Sequence, residues 1–381
     1  MPYREKRRGP RTRVALFVAV LVAAVFAAGC GDSSGSSSTT TAATPATTTA
    51  GGAATSAAKA QTGPNTPAPK PLATRAKLSV AVPLVSEAYG AMLMAKELGE
   101  FEKENIELSI TTLAIPETIV LLSQGKLDLT PQGWGVAILN AINGGADIKS
   151  IAPLVRFPET GKAGLWVAKK YAKADGTVDP CVLKGKTVSF GGSAGLGATS
   201  SWWINDYFKK CATGLTVKDV QVSNLGAADL IAGLQNGGVD AGFLVDPFWA
   251  DADAKGYAVL ATPNYRGTLG GYFIGPSLSG KPEVQDAIVR AMLRTTRTYL
   301  QGDYRKDPKV RPSLLKVLGV PESNLDAAPP LIFDPQMALD LSSIQGVQTT
   351  WLAIGGLLTY STAIPNEKVW DGKPIARVLA E

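Results

Sequence analysis

The chain has 381 residues, is 45% hydrophobic, and carries a formal net charge of +6 with three cysteines and no histidine. Without an imidazole it can build neither a Ser-His-Asp or Cys-His catalytic arrangement nor an H-E-x-x-H zinc site. The excess positive charge does not argue for a nucleic-acid partner either, because nearly all of it sits in the first 29 residues.

Those residues read as an export signal. A basic run from Arg4 to Arg13 precedes an uncharged apolar run from Val14 to Ala28, and small residues lead to Cys30. The apolar run is shorter than the roughly 20 residues that span a bilayer as a helix. A cysteine directly after "AAG" resembles a bacterial lipobox, which implies acylation of Cys30 and a membrane-anchored lipoprotein. Removing residues 1–29 takes away six basic side chains and one acid, leaving a net charge of +1. Residues 30–75 are dominated by Ser, Thr, Ala, Gly and Pro, a composition that cannot bury enough apolar surface to offset its ordering entropy, so they read as a disordered tether. With Cys30 lipidated, Cys181 and Cys211 remain as a candidate disulfide in an oxidising compartment, against the alternative of a buried reduced pair.

The remaining 305 or so residues exceed what one core usually organises, so two lobes are expected. Alternation predicts a strand at Leu78–Val82, helical spacing predicts a helix from about Tyr89 to Lys103, and a second strand follows at Ile106–Leu113. Two more such units follow, in "ETIVLLSQGKLDLTPQG" and "KTVSFGGSAGLGATSSWW", and this alternation argues for α/β lobes with largely parallel sheets. The second stretch contains Gly191, Ser193 and Gly195 in the spacing G-x-S-x-G. In hydrolases that spacing exposes a nucleophilic serine, but here no histidine is available to activate it. Read instead as a ligand loop, its glycines let the backbone approach a ligand, and Thr199 and Ser200 present hydroxyls at a helix start. A tight turn capping that helix is the plainer alternative.

An internal echo links "LLSQGKLDLTPQGW" with "GLQNGGVDAGFLVDPFW". Aligning Asp128 with Asp240 places Trp134 and Trp249 in corresponding loops, so two similar lobes would face each other across a cleft. The C-terminal third predicts helices at Glu283–Leu300, Val310–Leu318 and about Pro335–Ile354.

Taken in order, "KLSVAVPLVSEAYGAMLMAKELGEFEKENIELSI", "LLSQGKLDLTPQG", "LKGKTVSFGGSAGLGATSSWW", "GLQNGGVDAGFLVDPF" and "LGVPESNL" resemble the solute-binding lipoproteins of ABC importers. The similarity is to the nitrate/sulfonate/taurine (SsuA-like) group and its relatives that bind thiamine precursors, over residues 76–365. It implies an α/β, two-lobed periplasmic-binding-protein-like (type II) fold with a ligand cleft, lobe 1 comprising 76–165 and 270–381 and lobe 2 comprising 166–269. It also implies a monomer with no cofactor, metal, catalysis or nucleic-acid partner, which hands a small organic or anionic solute to a permease and ATPase at the extracytoplasmic face of the cell membrane. Two departures bear on the ligand: "PQGWGVA" stands where a Ser/Thr/Asn-rich turn is common, and "VDPFW" puts Asp246 where the group commonly has Glu. A thiamine-precursor-like heterocycle is therefore as plausible a ligand as a sulfonate or nitrate-like anion. The expected ligand contacts are Tyr89, Trp134, Ser193, Gly195, Thr199, Ser200, Asp246, Trp249 and Tyr272. Glu87 is expected to be solvated, and Trp202 and Trp203 to be packing residues. The rival reading is an exported serine hydrolase using Ser193.

Overall fold

A computed structural model describes residues 66–381, apart from 193, 247 and 263–266. The signal, the lipidation site at Cys30, most of the tether and Ser193 lie outside the described residues. Among those described, no helix is long and apolar enough to cross a membrane.

The strands are β1 (Ala76–Val82), β2 (Ile106–Thr112), β3 (Leu129–Gly133), β4 (Lys149–Pro153), β5 (Gly164–Ala168), β6 (Thr187–Ser189), β7 (Gln221–Ser223), β8 (Ala241–Leu244), β9 (Ala258–Leu260) and β10 (Gly270–Ile274). They form two five-stranded sheets, ordered β2-β1-β3-β10-β4 and β7-β6-β8-β5-β9. In both, the strands on one side are parallel and the fourth strand in the order runs antiparallel to its neighbours. The sheets are thus two copies of one plan. β5 begins at Gly164, two residues before the expected start of lobe 2 at 166.

The echo has a structural cause. Asp128, just before β3, accepts hydrogen bonds from the Ser79 backbone N–H and hydroxyl on β1, at 2.7 and 2.8 Å. Asp240, just before β8, accepts from the Thr187 N–H on β6 at 3.1 Å and from the Tyr171 hydroxyl at 2.7 Å. In each sheet a carboxylate at a strand start pins the neighbouring strand, satisfying a backbone donor at the end of a parallel ladder.

Helices α1 (Gly90–Glu97), α2 (Ile115–Ser123) and α3 (Val136–Asn143) connect the first sheet, and α4 (Ser200–Phe208), α5 (Ala227–Asn236) and α6 (Trp249–Lys255) the second. The C-terminal part adds α7 (Pro276–Ser279), α8 (Pro282–Tyr299), α9 (Arg311–Leu318), α10 (Glu322–Ala327), α11 (Ser342–Ile354), α12 (Asn366–Val369) and α13 (Lys373–Leu379). The expected helix to Lys103 ends at Glu97, because Gly99 takes φ 72° and Asn105 φ 59°, both left-handed and incompatible with helix continuation. The helix expected from Pro335 starts only at Ser342, after a turn in which the Asp334 carboxylate accepts from the Gln336 N–H.

Three apolar cores follow. One packs α1 and α8 on the first sheet, around Met92, Met94, Tyr272 and Ile288. Another joins the sheets: Trp134, Ile138 and Phe273 from the first meet Phe190, Phe243 and Ile204 from the second, with Ile344, Val347 and Trp351 of α11. The third lies under α5 and α6, around Trp166, Leu230 and Trp249. A disulfide joins Cys181, in the turn before β6, to Cys211, just past the end of α4, with Cα atoms 5.0 Å apart.

Candidate functional site

The carboxyl ends of β1, β3, β6 and β8 converge on the junction between the sheets, where open α/β sheets bind ligands. Gly133 and Gly135, at the end of β3, lie against the loop before α4. A side chain on Gly133 would collide with the Thr199 hydroxyl, and a Cβ on Gly135 would come within 3.2 Å of the Gly197 carbonyl. Glycine is needed here for close approach between the two halves. Within the loop, Gly191, Gly192 and Gly195 have φ of 89°, 73° and 52°. The backbone turns through left-handed conformations before α4 begins at Ser200.

The two hydroxyls expected at this helix start differ. Ser200 donates to the Phe190 carbonyl and is committed to the turn. Thr199 is equally buried, but its Oγ1 has no hydrogen-bond partner within the protein. In β3, whose last residue Gly133 faces the Thr199 hydroxyl, the Gln132 amide nitrogen is also buried and unpartnered, as are the hydroxyls of Ser189, at the end of β6, and Thr268. Such atoms are rare in folded proteins and each needs an explanation, because an unsatisfied buried donor or acceptor costs about 1–3 kcal/mol.

An aromatic column crosses the same junction. Trp203 on α4 lies 5.1 Å from Phe243 of β8 and 6.2 Å from Phe157, in the segment joining β4 to β5, measured between ring centroids. It packs against both the first-sheet core and the shared core. Trp202, by contrast, covers Gly346 of α11, where any side chain would collide with its ring.

The paired tryptophans of the echo do not face each other. Trp134 is fully buried, edge-on to Phe273 at 5.5 Å, and donates its indole N–H to the Thr268 carbonyl at 3.2 Å. Trp249 stacks on Trp166 at 6.1 Å in the third core and donates to Asp246 Oδ1 at 2.8 Å. Tyr89 and Tyr272 lie in the first-sheet core near the start of α1, and burial pushes both hydroxyls above the usual tyrosine range. Of the expected ligand residues, Thr199, Gly195 and Ser200 share the loop against β3, Asp246 lies at the β8 end of the junction, and the four aromatic residues are core.

Glu87, expected in solvent, is fully buried. It accepts from Arg305 Nε at 2.8 Å and from the Tyr304 hydroxyl at 2.7 Å. Asp246 is 1% exposed, and burial pushes its carboxyl up to about 6, opposed by Arg305 and the Trp249 N–H and reinforced by Glu87. Composition gave no signal for this cluster, since its members are far apart in sequence.

No protein-family model and no curated sequence matches the chain. Solved structures do match its fold. The alkanesulfonate-binding protein SsuA from Xanthomonas axonopodis pv. citri bound to MOPS is 22% identical, with 78% of this chain and 99% of that one covered and a TM-score of 0.58. The periplasmic nitrate-binding protein NrtA from Synechocystis PCC 6803 is 13% identical, covering 82% and 90%, with a TM-score of 0.64. The desulfurization enzyme DSZB is 16% identical, covering 80% and 99%, with a TM-score of 0.55. The chain therefore has the periplasmic-binding-protein-like α/β fold.

Proposed function

We propose that this protein is an extracytoplasmic solute-binding lipoprotein, anchored through Cys30, that captures a small organic or anionic solute between its two sheets and delivers it to an ABC importer. The observation that carries this reading is the set of buried, unpartnered polar atoms at the junction: Gln132 Nε2 from the first sheet and Thr199 Oγ1 and Ser189 Oγ from the second. Gln132 and Ser189 lie at strand ends and Thr199 at the start of α4, the helix that also carries Trp203, a combination suited to one small ligand with a few polar groups and an apolar body. The fold likeness to proteins named for binding alkanesulfonate and nitrate supports the same role.

The competing reading is catalysis, because the fold also serves the enzyme DSZB. In this chain a hydrolase would need Ser193 without a histidine base. The deciding experiment is native mass spectrometry of protein purified from its own host, followed by incubation with the ligand it carries. A bound small molecule that is released unchanged supports the transport reading, and conversion of that molecule overturns it. Thr199→Val should weaken binding roughly five- to tenfold, since it removes a hydrogen bond contributing about 1 kcal/mol and leaves the ligand group that met the hydroxyl without a partner.

A further inference from the structure

Four carboxylates are buried among the described residues: Glu87, Glu100, Glu104 and Asp246. Three of them have an arginine. Glu87 is held by Arg305, Glu100 by Arg294, and Glu104 by both Arg290 and Arg294. Those three arginines are also the buried cations of the described residues, and each is committed. Arg305 donates to both oxygens of Glu87 and to the carbonyls of Leu325 and Ala328. Arg290 holds Glu381 as well as Glu104.

Asp246 is the exception. Its Oδ1 accepts from the Trp249 N–H, while its Oδ2 is buried with no partner within the protein. Arg305 acts on it through space, but Glu87 cancels that charge, so the group of Glu87, Arg305 and Asp246 carries one uncompensated negative charge when ionised. A buried carboxylate is stable only when paired and hydrogen-bonded, or when it takes up a proton. Asp246 follows β8 at its carboxyl end, and the preceding Val245 packs on both the first-sheet core and the shared core, which sets the carboxylate at the junction.

Resting on the solute-binding reading, we infer that the ligand brings a protonated nitrogen with an N–H donor, as in a primary ammonium or an amidinium, to Asp246 Oδ2. The same charges count against a simple sulfonate or nitrate. Every buried arginine of the described residues is spent, so an anion would add to an existing negative charge with no free buried cation to meet it.

The test compares probes on matched frames: benzyl- and butylammonium and benzamidine against benzyl- and butylsulfonate, by thermal shift and titration calorimetry on the full chain. The ammonium and amidinium arm is expected to stabilise the wild type. Asp246→Asn, which keeps an acceptor for Trp249, should weaken that arm by roughly 30-fold or more, as removal of one partner of a desolvated charged pair does. As a check independent of the variant, wild-type affinity for benzamidine should fall as pH is lowered from about 7 to about 5, because the proton competes for a carboxylate that faces Arg305, Glu87 and the Trp249 N–H. Stabilisation by the sulfonates, indifference of the ammonium arm to Asp246→Asn, or no response in either arm overturns the inference, as does a natively carried ligand without a basic nitrogen. Turnover of a carried amine with the ammonium preference intact overturns the transport reading alone, so the two failures are distinguishable.

Discussion

Asp246 and Glu87 show how one residue type is given opposite fates by what surrounds it. Glu87 is met by hydrogen bonds from Arg305 and Tyr304, whereas Asp246 is buried without a hydrogen-bonded cation and is pushed up to about 6 from 3.8. A carboxyl whose folded pKa is raised contributes stability that is fully present below the unfolded value and is lost as pH rises through the folded one. Ligand-free protein should therefore be less stable at pH ~7.5 than at pH ~5 by roughly 1 kcal/mol from this group, because at 1.36 kcal/mol per unit about half of the full effect is already lost by pH ~5. Thermal melts against pH check this, and in Asp246→Asn that part of the slope should vanish. Arg305→Ala should be costlier, about 3–5 kcal/mol in denaturant unfolding, because it strands the buried Glu87. Asp246 was legible as a candidate contact from its loop position, but the burial of Glu87 was not, since Arg305 lies 218 residues away.

Two elements govern how the halves meet. The disulfide ties the turn before β6 to the end of α4 over a separation of 30 residues, and so fixes the helix whose start carries Thr199. Replacing both Cys181 and Cys211 by Ser should cost about 3–4 kcal/mol in denaturant unfolding, by loop-closure entropy. The Gly133–Gly135 segment acts at closest approach. Gly133→Val should hold the loop before α4 away from β3, and small-angle scattering should then give a larger radius of gyration with ligand present than the wild type does, together with lost affinity. The repeat of Asp128 and Asp240 was readable from sequence, and its cause is the shared strand-pinning role. The inference from Trp134 and Trp249 failed to transfer, because similar spacing placed one beside Phe273 and the other on Trp166.

At the scale of the whole molecule, the shared core and α11 bind the two sheets together, so ligand capture is expected to act on an interface already apolar and close. Trp203 spans it, packed between Phe157 and Phe243. Ligand should change its fluorescence, and Trp203→Phe should abolish most of that change while Trp134→Phe should not. Steady-state emission during titration with the natively carried ligand separates the two. The proposed attachment to the membrane rests on Cys30, outside the described residues. Cys30→Ser should yield unprocessed or soluble protein where the wild type partitions into detergent, as checked by phase partition and intact mass.

By itself the sequence determined the α/β alternation, the doubled plan, the glycine loop before α4 and the lack of any histidine-based chemistry, because these rest on local periodicity, turn residues and composition. It could not decide which polar groups would be paired. Pairing of Glu87 with Arg305 and the burial that leaves the Thr199, Gln132 and Asp246 atoms unpartnered depend on contacts between distant segments. Burial is a property of those contacts, and only burial turns an ordinary polar side chain into one that calls for a partner.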